Sequence, residues 1–332
     1  MNKKKVIILV VIVIAVLSVS LICFGIFHDR FEDSEKAMKP NGSSISKDKD
    51  NKKPSDNLTE ACDATLPEDS PQKPSSGKDS TKAPVKTTAP TTAKPTTTAR
   101  QAVRVTIPEG YTLTQIFKKI EAAGVCSFDS LMQTAETYDY SYYTLIANRP
   151  NNVRTFKLEG YLFPSTYEFY KGQKPQDVIG KFLRNGKNKV TDAQIQRAAQ
   201  IGRSIDEVLI VASIIEKEGS KPSEVANVAA VIYNRLKAGQ KLQMDSSIVY
   251  IESRVKPFIT GDVNRYNALY NTYKCPALPA GPISNPGMKT INAALYPADV
   301  PYLFFCHDAN ANYYYATTYE EHQANLKLAG LK

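Results

Sequence analysis

The chain has no tryptophan, and none of its 19 tyrosines precedes Tyr111. The only phenylalanines before that position are Phe24, Phe27 and Phe31, all within a short stretch. A segment with so few aromatic residues has too little apolar surface to build a packed core. The first third of the 332-residue chain is therefore predicted not to form a globular domain.

Patterns that bind metals or phosphates are absent from the sequence. The three histidines are widely separated, and the five cysteines include no C-x-x-C pair. No H-E-x-x-H, P-loop, G-x-G-x-x-G or G-x-S-x-G sequence occurs. We therefore expect neither a metal nor an organic cofactor. Cys275 and Cys306 either form a disulfide or remain separate buried thiols, and the sequence leaves both open.

The positive charge is diffuse. Lysine and arginine number 42 against 33 acidic residues, a formal net charge of +9. Lys3, Lys4 and Lys5 supply three of these charges and residues 28–100 supply one, which leaves +5 over residues 101–332. So weak an excess on a long segment does not indicate a nucleic-acid partner.

Residues 6–27 form an uncharged apolar run directly after the three lysines. Its 22 residues are long enough for a helix to cross a bilayer. Because the lysines precede it, residues 1–5 are predicted to be a cytoplasmic tail and the rest of the chain to lie outside the cell membrane. A signal peptide cleaved near Ser18-Val19-Ser20 is the alternative, but the length of the run favours a retained single-pass anchor.

Residues 28–101 have the composition of a disordered linker. The stretch 81–99 reads TKAPVKTTAPTTAKPTTTA. Such a sequence buries too little apolar surface to offset the entropy of ordering, and its prolines favour an extended stalk.

An α+β pattern begins at residue 102. Residues 103–108 alternate as in a strand, and helices are predicted after Thr112, ending at Gly124, and after Ser127. We interpret 102–152 as a small subdomain that resembles LysM carbohydrate-binding modules, with a plain spacer as the alternative. Residues 153–332 are predicted to form a second, mixed helix/strand domain.

The strongest helical pattern covers 204–219, SIDEVLIVASIIEKEG. Ser204 and Glu207 fit a capping box, and the apolar residues that follow predict a helix buried on nearly all sides. Glu216 ends this apolar run, where partial desolvation would raise the pKa of its carboxyl group, as a general acid requires. Glu218 lies about 200° around the helix, so the two do not form a dyad. An ordinary ion pair at the helix end is the alternative role for Glu216.

Further polar and aromatic residues follow this pattern. The segment 157–169, KLEGYLFPSTYEF, places Glu159 among aromatic side chains that suit either sugar stacking or a core. A helix capped by Ser223 is predicted over 223–239, and KLQMDSSIVY is expected to be extended or a turn. The Pro/Gly-rich loop 270–287 is expected to shape a binding site.

Six motifs in order carry a resemblance over nearly all of 103–330. They are VTIPEGYT, LEGYLFPSTYEF, VASIIEKE, NRLKAGQKLQMDSSIVY, YNTY and LPAGPISNPG. Together they resemble the endolytic murein transglycosylases of the YceG-like (MltG) family. One departure is Ser246, where the family usually has proline, and we expect a local backbone change there.

The resemblance implies a LysM-like subdomain followed by a catalytic domain at 153–332, with Glu216 as the catalytic residue. It implies cleavage of nascent peptidoglycan strands between N-acetylmuramic acid and N-acetylglucosamine, giving 1,6-anhydro ends that terminate elongation. Peptidoglycan synthases or the elongation or division machinery are the implied partners, at the cell membrane. The candidates for substrate binding are Asn271, Gln243, Glu159, Tyr273 and Glu218.

Two other functions remain open from the sequence. One is a cell-wall-binding or scaffold protein without catalysis. The other is a hydrolytic muramidase, in which Glu159 or Asp245 would be the second carboxylate.

Overall fold

A computed structural model of the chain describes residues 101–219 and 221–332, and within them the predicted α+β class is confirmed. The strands are β1 (Ala102–Thr106), β2 (Thr166–Tyr170), β3 (Phe304–His307) and β4 (Tyr313–Ala316). The helices are α1 (Leu113–Ala122), α2 (Phe128–Thr137), α3 (Thr144–Ala147), α4 (Pro175–Lys189), α5 (Asp192–Gln200), α6 (Ile205–Lys217), α7 (Val225–Lys237), α8 (Asp245–Tyr250), α9 (Asn264–Tyr270), α10 (Met288–Leu295) and α11 (Tyr319–Leu328).

The predicted cytoplasmic tail, membrane anchor and linker, apart from Gln101, lie outside the described residues. Within the ranges that are described, every helix is too short or too polar to cross a bilayer.

The first sheet pairs β1 with β2 in antiparallel register, with Val103 opposite Phe169 and Val105 opposite Tyr167. Alternate side chains of a strand share one face, and here Val105, Tyr167 and Phe169 are buried together. The Tyr167 ring also packs on Phe182 of α4, with ring centroids 4.4 Å apart. The strand β2 lies beyond residue 152, so this sheet joins segments on both sides of the expected subdomain boundary. The LysM-like subdomain stays a prediction.

The two helices predicted after β1 are confirmed. Thr112 and Gln115 form a capping box at the start of α1, each side chain accepting from the other's backbone N–H. Gly124, at φ +71°, follows the end of that helix. The hydroxyl of Ser127 accepts from the Ser130 N–H and caps α2.

Helix α6 is the centre of the core, as its sequence predicts. Its side chains from Ile205 to Ile215 are buried on every side except at Glu207, and helices α7 and α10 pack against it. The capping box of Ser204 and Glu207 is present. Asp206, in the first turn, forms a buried ion pair with Arg154 at 2.6 Å.

Two local predictions are wrong. Helix α7 begins at Val225 with Glu224 as its N-cap, because the Ser223 hydroxyl donates to the Glu224 carboxylate (3.0 Å) instead of capping the helix. Asp245–Tyr250 is helical, not extended or a turn, and continues into a π-helical turn over Ile251–Val255. Ser246 is therefore the second residue of a helix, a position that proline also tolerates. The backbone change expected there stays a prediction.

The C-terminal end consists of a strand, a turn, a second strand and a helix. Strands β3 and β4 form an antiparallel hairpin with Phe305 opposite Tyr315, and α11 follows. Cys275 and Cys306 are separate, buried free thiols, which settles the choice that the sequence left open.

Candidate active site

Glu216 lies in the last turn of α6, where the buried helix reaches the surface, and its side chain is half-buried. The Thr290 hydroxyl donates to Glu216 Oε2 at 2.7 Å, and the Gly287 N–H donates to the same oxygen at 3.2 Å. No donor among the described residues lies within hydrogen-bond distance of Oε1. One carboxylate oxygen is thus held by the protein and the other is left for a ligand.

The first turn of α10 supplies both donors, and Gly287 is the N-cap of that helix. Two contacts hold the preceding chain on α6: the Ile283 N–H donates to Ser213 Oγ (3.0 Å), and the Ser284 hydroxyl donates to the Ser213 carbonyl (3.2 Å). The N-terminus of α10 is therefore fixed beside the C-terminal turn of α6. Partial positive charge at a helix N-terminus suits a neighbouring carboxylate.

Asn285 joins this segment to the turn after β1. It is completely buried, its side-chain amide donates to the Tyr111 carbonyl (2.9 Å), and its own carbonyl accepts from the Gly110 N–H (2.9 Å). Because these contacts tie the two segments together, residues 109–111 lie against Glu216.

Gly110 allows this close approach. It has φ +74°, and a Cβ at this position would lie 3.3 Å from Glu216 Cγ. A side chain at position 110 would strain the backbone and would crowd the side chain of Glu216. The Lys217 ammonium donates to the Gly110 carbonyl at 3.3 Å and closes the contact from the other side.

Glu159 lies in the interior and is only 1% exposed. Its carboxylate accepts from the Leu113 N–H at the start of α1 (2.9 Å), from the Asn285 amide (2.9 Å) and from the Tyr250 hydroxyl (3.2 Å). Burial raises the pKa of Glu159 to about 8, and these donors oppose the rise. This placement favours a structural role, in which Glu159 ties three segments behind the site.

A second polar cluster contains three of the predicted residues. The Tyr273 hydroxyl donates to Asp245 Oδ1 (2.7 Å), and the Arg235 guanidinium donates to Gln243 Oε1. Burial raises the pKa of Glu218, with the Asp245 carboxylate adding to the rise and Ser246 and His307 opposing it. Glu218 Oε1 is buried without a donor among the described residues.

Asn271 stabilises the loop that carries Tyr273. Its side-chain oxygen accepts from the Tyr273 N–H (3.0 Å), and its carbonyl accepts from the Cys275 N–H (2.8 Å). The structure thus brings Glu218, Gln243 and Tyr273 together and leaves Glu216 without a hydrogen bond to any of the five substrate-binding candidates. Their contacts with substrate stay predictions.

Sequence reasoning missed Glu109, Gly287 and Thr290, which surround Glu216. The available signal was in the first and last of the six motifs, because IPEG places Glu109 before a glycine and NPG ends at Gly287, three residues before Thr290. In the described ranges no three His, Cys, Asp or Glu side chains are grouped so as to hold a metal ion.

Comparisons with known proteins agree with the motifs. A model of the YceG-like family matches residues 83–328. The endolytic murein transglycosylase of Bacillus subtilis (strain 168) is 30% identical over 230 residues, which cover 67% of this chain and 63% of that protein. The endolytic murein transglycosylase of Streptococcus pneumoniae serotype 2 is 30% identical over 241 residues, which cover 67% of this chain and 44% of that protein.

A solved structure is similar as well. The crystal structure of a yceG-like protein from Listeria monocytogenes matches with a TM-score of 0.57 at 30% identity, covering 67% of this chain and 75% of that one. This chain spans less than two thirds of the length of the two transglycosylases, but the family match extends over most of its own length. The resemblance carried by the six motifs is confirmed, and the chain belongs to the YceG-like family.

Proposed function

We propose that this chain is an endolytic lytic transglycosylase, which cleaves peptidoglycan strands between N-acetylmuramic acid and N-acetylglucosamine and so terminates strand elongation. The observation that carries the proposal is Glu216, held through Oε2 by Gly287 and Thr290, with Oε1 left free at the end of a buried helix. The family and the names of the two relatives support the substrate class.

The reaction requires one carboxyl group that donates a proton and then takes one back. Protonated Glu216 gives its proton to the glycosidic oxygen, and the bond from that oxygen to C1 of the muramic acid breaks. The C6 hydroxyl of the same sugar attacks C1 and passes its proton to the Glu216 carboxylate. A 1,6-anhydro ring forms, no water is consumed, and the carboxyl group returns to its starting state.

The geometry suits such a group. A carboxyl fixed through one oxygen presents the other in a constant direction, which lowers the entropic cost of reaching the transition state. Neither carboxylate considered for a hydrolytic mechanism lies at this oxygen, because Glu159 is interior and Asp245 is bonded to Tyr273. A retaining or inverting hydrolase would use a second carboxylate across the scissile bond, and the products separate that reaction from the lytic one.

We also propose how the chain is placed in the cell. Residues 6–27 would anchor it in the cell membrane with residues 1–5 in the cytoplasm, and the linker would carry the catalytic part towards the wall. There it would meet nascent strands beside peptidoglycan synthases or the elongation or division machinery. The LysM-like role is proposed for residues 102–152, whose strand β1 pairs with β2. Membrane fractionation of cells producing the full chain tests the anchor, since a cleaved form would appear in the soluble fraction.

The test of the reaction compares the full chain with Glu216→Gln, a neutral side chain of the same shape. Purified peptidoglycan is incubated with each protein, and the soluble products are identified by mass spectrometry. We expect internal fragments with 1,6-anhydro-muramic ends from the unmodified chain and at least a 100-fold lower rate from the variant. Glu320→Gln, an exposed change on α11, is the control and should cleave normally.

Other outcomes would select other functions. Reducing ends that are heavier by one water would show a hydrolytic muramidase. Binding to peptidoglycan without any product, by a correctly folded full chain, would favour the wall-binding protein. Full activity in Glu216→Gln would overturn the assignment of this residue.

A further inference from the structure

A second carboxylate lies beside Glu216, on the turn after β1. Glu109 has an exposed side chain whose carboxylate reaches over the backbone of Gly287. A Cβ at position 287 would lie 1.8 Å from Glu109 Oε1, so a side chain there would displace this carboxylate. The N–H of the same glycine donates to Glu216 Oε2. The two carboxyl groups therefore flank one residue, with Glu109 exposed and Glu216 half-buried.

Their surroundings differ. Glu216 has two donors on Oε2, whereas no residue in 101–219 or 221–332 donates a hydrogen bond to Glu109. Partial burial raises the pKa of Glu109, the negative charge of Glu216 raises it further, and the Lys289 ammonium lowers it. A negative charge beside a carboxyl group favours the protonated form of that group.

Other charged groups face the pair from each neighbouring element. Lys217 follows Glu216 on α6, and Lys289 lies in the first turn of α10. Burial lowers the pKa of Lys217, Arg254 of the π-helical turn lowers it further, and Glu216 and Glu159 oppose this. The two lysines, Lys217 and Lys289, are therefore the cations near Glu216, and Glu109 is the surface carboxylate beside it.

We propose that Glu109 is a positioning residue for the proposed cleavage reaction, which keeps one proton on the Glu109–Glu216 pair by placing a negative charge beside Glu216. The inference rests on the proposed function. The proton that the pair holds is the one given to the glycosidic oxygen when its bond to C1 breaks. The proton from the C6 hydroxyl returns to the pair when the new bond between O6 and C1 forms, so the pair starts and ends with the same charge.

The sign of the effect follows from electrostatics. Loss of the last proton leaves two adjacent negative charges, which is unfavourable, so the pair keeps this proton to a higher pH than one carboxyl alone. A neutral residue at 109 removes the repulsion, and the proton is then lost at lower pH. Loss of the positive charge at 289 acts in the opposite direction, because Lys289 stabilises the doubly ionised pair.

The experiment measures the pH dependence of anhydro-product formation from pH 4 to 9 with the full chain and purified peptidoglycan. We expect Glu109→Gln to move the alkaline limit of activity down by at least about 0.5 pH unit, and Lys289→Met to move it up. Glu109→Asp, which keeps the charge, should shift it less than Glu109→Gln. Glu320→Gln, a distant charge change, should leave the profile unchanged.

The outcomes separate this inference from the proposed function. If the unmodified chain makes no anhydro ends, the proposed function fails first. If that chain is active and Glu216→Gln is inactive, but the Glu109→Gln profile coincides with that of the unmodified chain, the inference alone is overturned. Loss of activity at every pH in a folded Glu109→Gln protein would also overturn it, since Glu109 would then take part in the chemistry directly. If Glu109→Gln does not fold, the upward shift in Lys289→Met decides, and its absence overturns the proposal.

Discussion

At the residue scale, carboxyl groups in this chain are divided between interior and surface roles. Glu159 and Glu216 lie at opposite ends of the same network, because Asn285 contacts Glu159 and leads to Gly287. The interior carboxylate organises the segments, and the surface one is left with a free oxygen. The distinction depends on burial and on hydrogen-bond donors, which two glutamates in a sequence do not reveal.

Glu159 makes the stability of the fold depend on pH. Its pKa in the folded chain, about 8, lies above its ordinary value of 4.5, so the folded state binds this proton more tightly. The resulting stabilisation is complete below the ordinary pKa and is lost as the pH rises towards 8. Relative to Glu159→Gln, the free energy of unfolding of the unmodified chain should fall by at least about 1.4 kcal/mol between pH 5 and pH 8.

Urea unfolding of residues 101–332 at several pH values measures this difference. The Gln variant cancels the contributions of all other titrating groups, because they are common to both proteins. A difference that stays constant with pH would mean that the hydrogen-bond donors outweigh burial and keep Glu159 ionised.

The sequence predicts the place of a site residue when that place follows from neighbouring residues, and fails when it depends on contacts between distant segments. The place of Glu216 at the end of a buried helix was predicted from one local pattern, the apolar run of α6, and its catalytic role stays a prediction. Glu109 was missed because its importance arises from Gly287, which is distant in sequence and packs against it only in the folded chain. Helical periodicity predicts where a residue lies on its own helix, but it does not predict contacts with distant segments.

At the element scale, the start of α6 depends on a buried ion pair. Arg154 donates to both carboxylate oxygens of Asp206, and the Tyr161 hydroxyl donates to Oδ1 of the same group. Arg154, Tyr161 and Asp206 are all buried, so water has little access to the hydrogen bonds that hold the start of α6. Removing one member leaves the other charged and without its main partner.

We expect Arg154→Met to reduce the free energy of unfolding by about 3–5 kcal/mol, since it leaves Asp206 buried and uncompensated. Denaturant unfolding of residues 101–332 measures the change. The matched control is Lys256→Ala, which removes a partly exposed ion pair with Glu252 and should cost less than about 1 kcal/mol. Equal losses in the two variants would contradict a special role for the buried pair.

Element boundaries were predicted well where capping chemistry is local. Ser127, Ser204 and Gly124 act as their sequence neighbours indicate. The helix Asp245–Tyr250 was missed because six residues are too few for a clear period, and tertiary contacts decide its conformation: the Met244 N–H donates to Thr272 Oγ1 (2.8 Å). The start of α7 was misplaced because Ser223 bonds to Glu224 instead of to the backbone.

At the scale of the whole molecule, the described residues share one hydrophobic core that runs from Val105 to Leu295. The sheet of β1 and β2 and the contact of Asn285 with Tyr111 both cross residue 152. We therefore expect residues 101–332 to unfold in a single cooperative transition. A fragment of residues 153–332 should not unfold cooperatively, because β2 loses its partner and Asn285 loses its contact.

Circular dichroism during urea titration of both fragments tests this. The fragment 101–332 serves as the positive control for expression and solubility. A cooperative transition in 153–332 would show that the second predicted domain folds independently and that the shared core is dispensable.

Because Glu216 is held by Gly287 and Thr290, the site can form only late in synthesis of the chain. A chain is made from its N-terminus, and the turn at Glu109 and the helix bearing Glu216 leave the ribosome before the residues that hold the carboxylate. Some 180 residues separate Glu109 from Thr290, so the site closes only when most of the polypeptide has been synthesised. An incomplete nascent chain carries Glu216 but not the groups that orient it. The order of synthesis alone therefore delays the proposed cleavage activity until the first turn of α10 is in place.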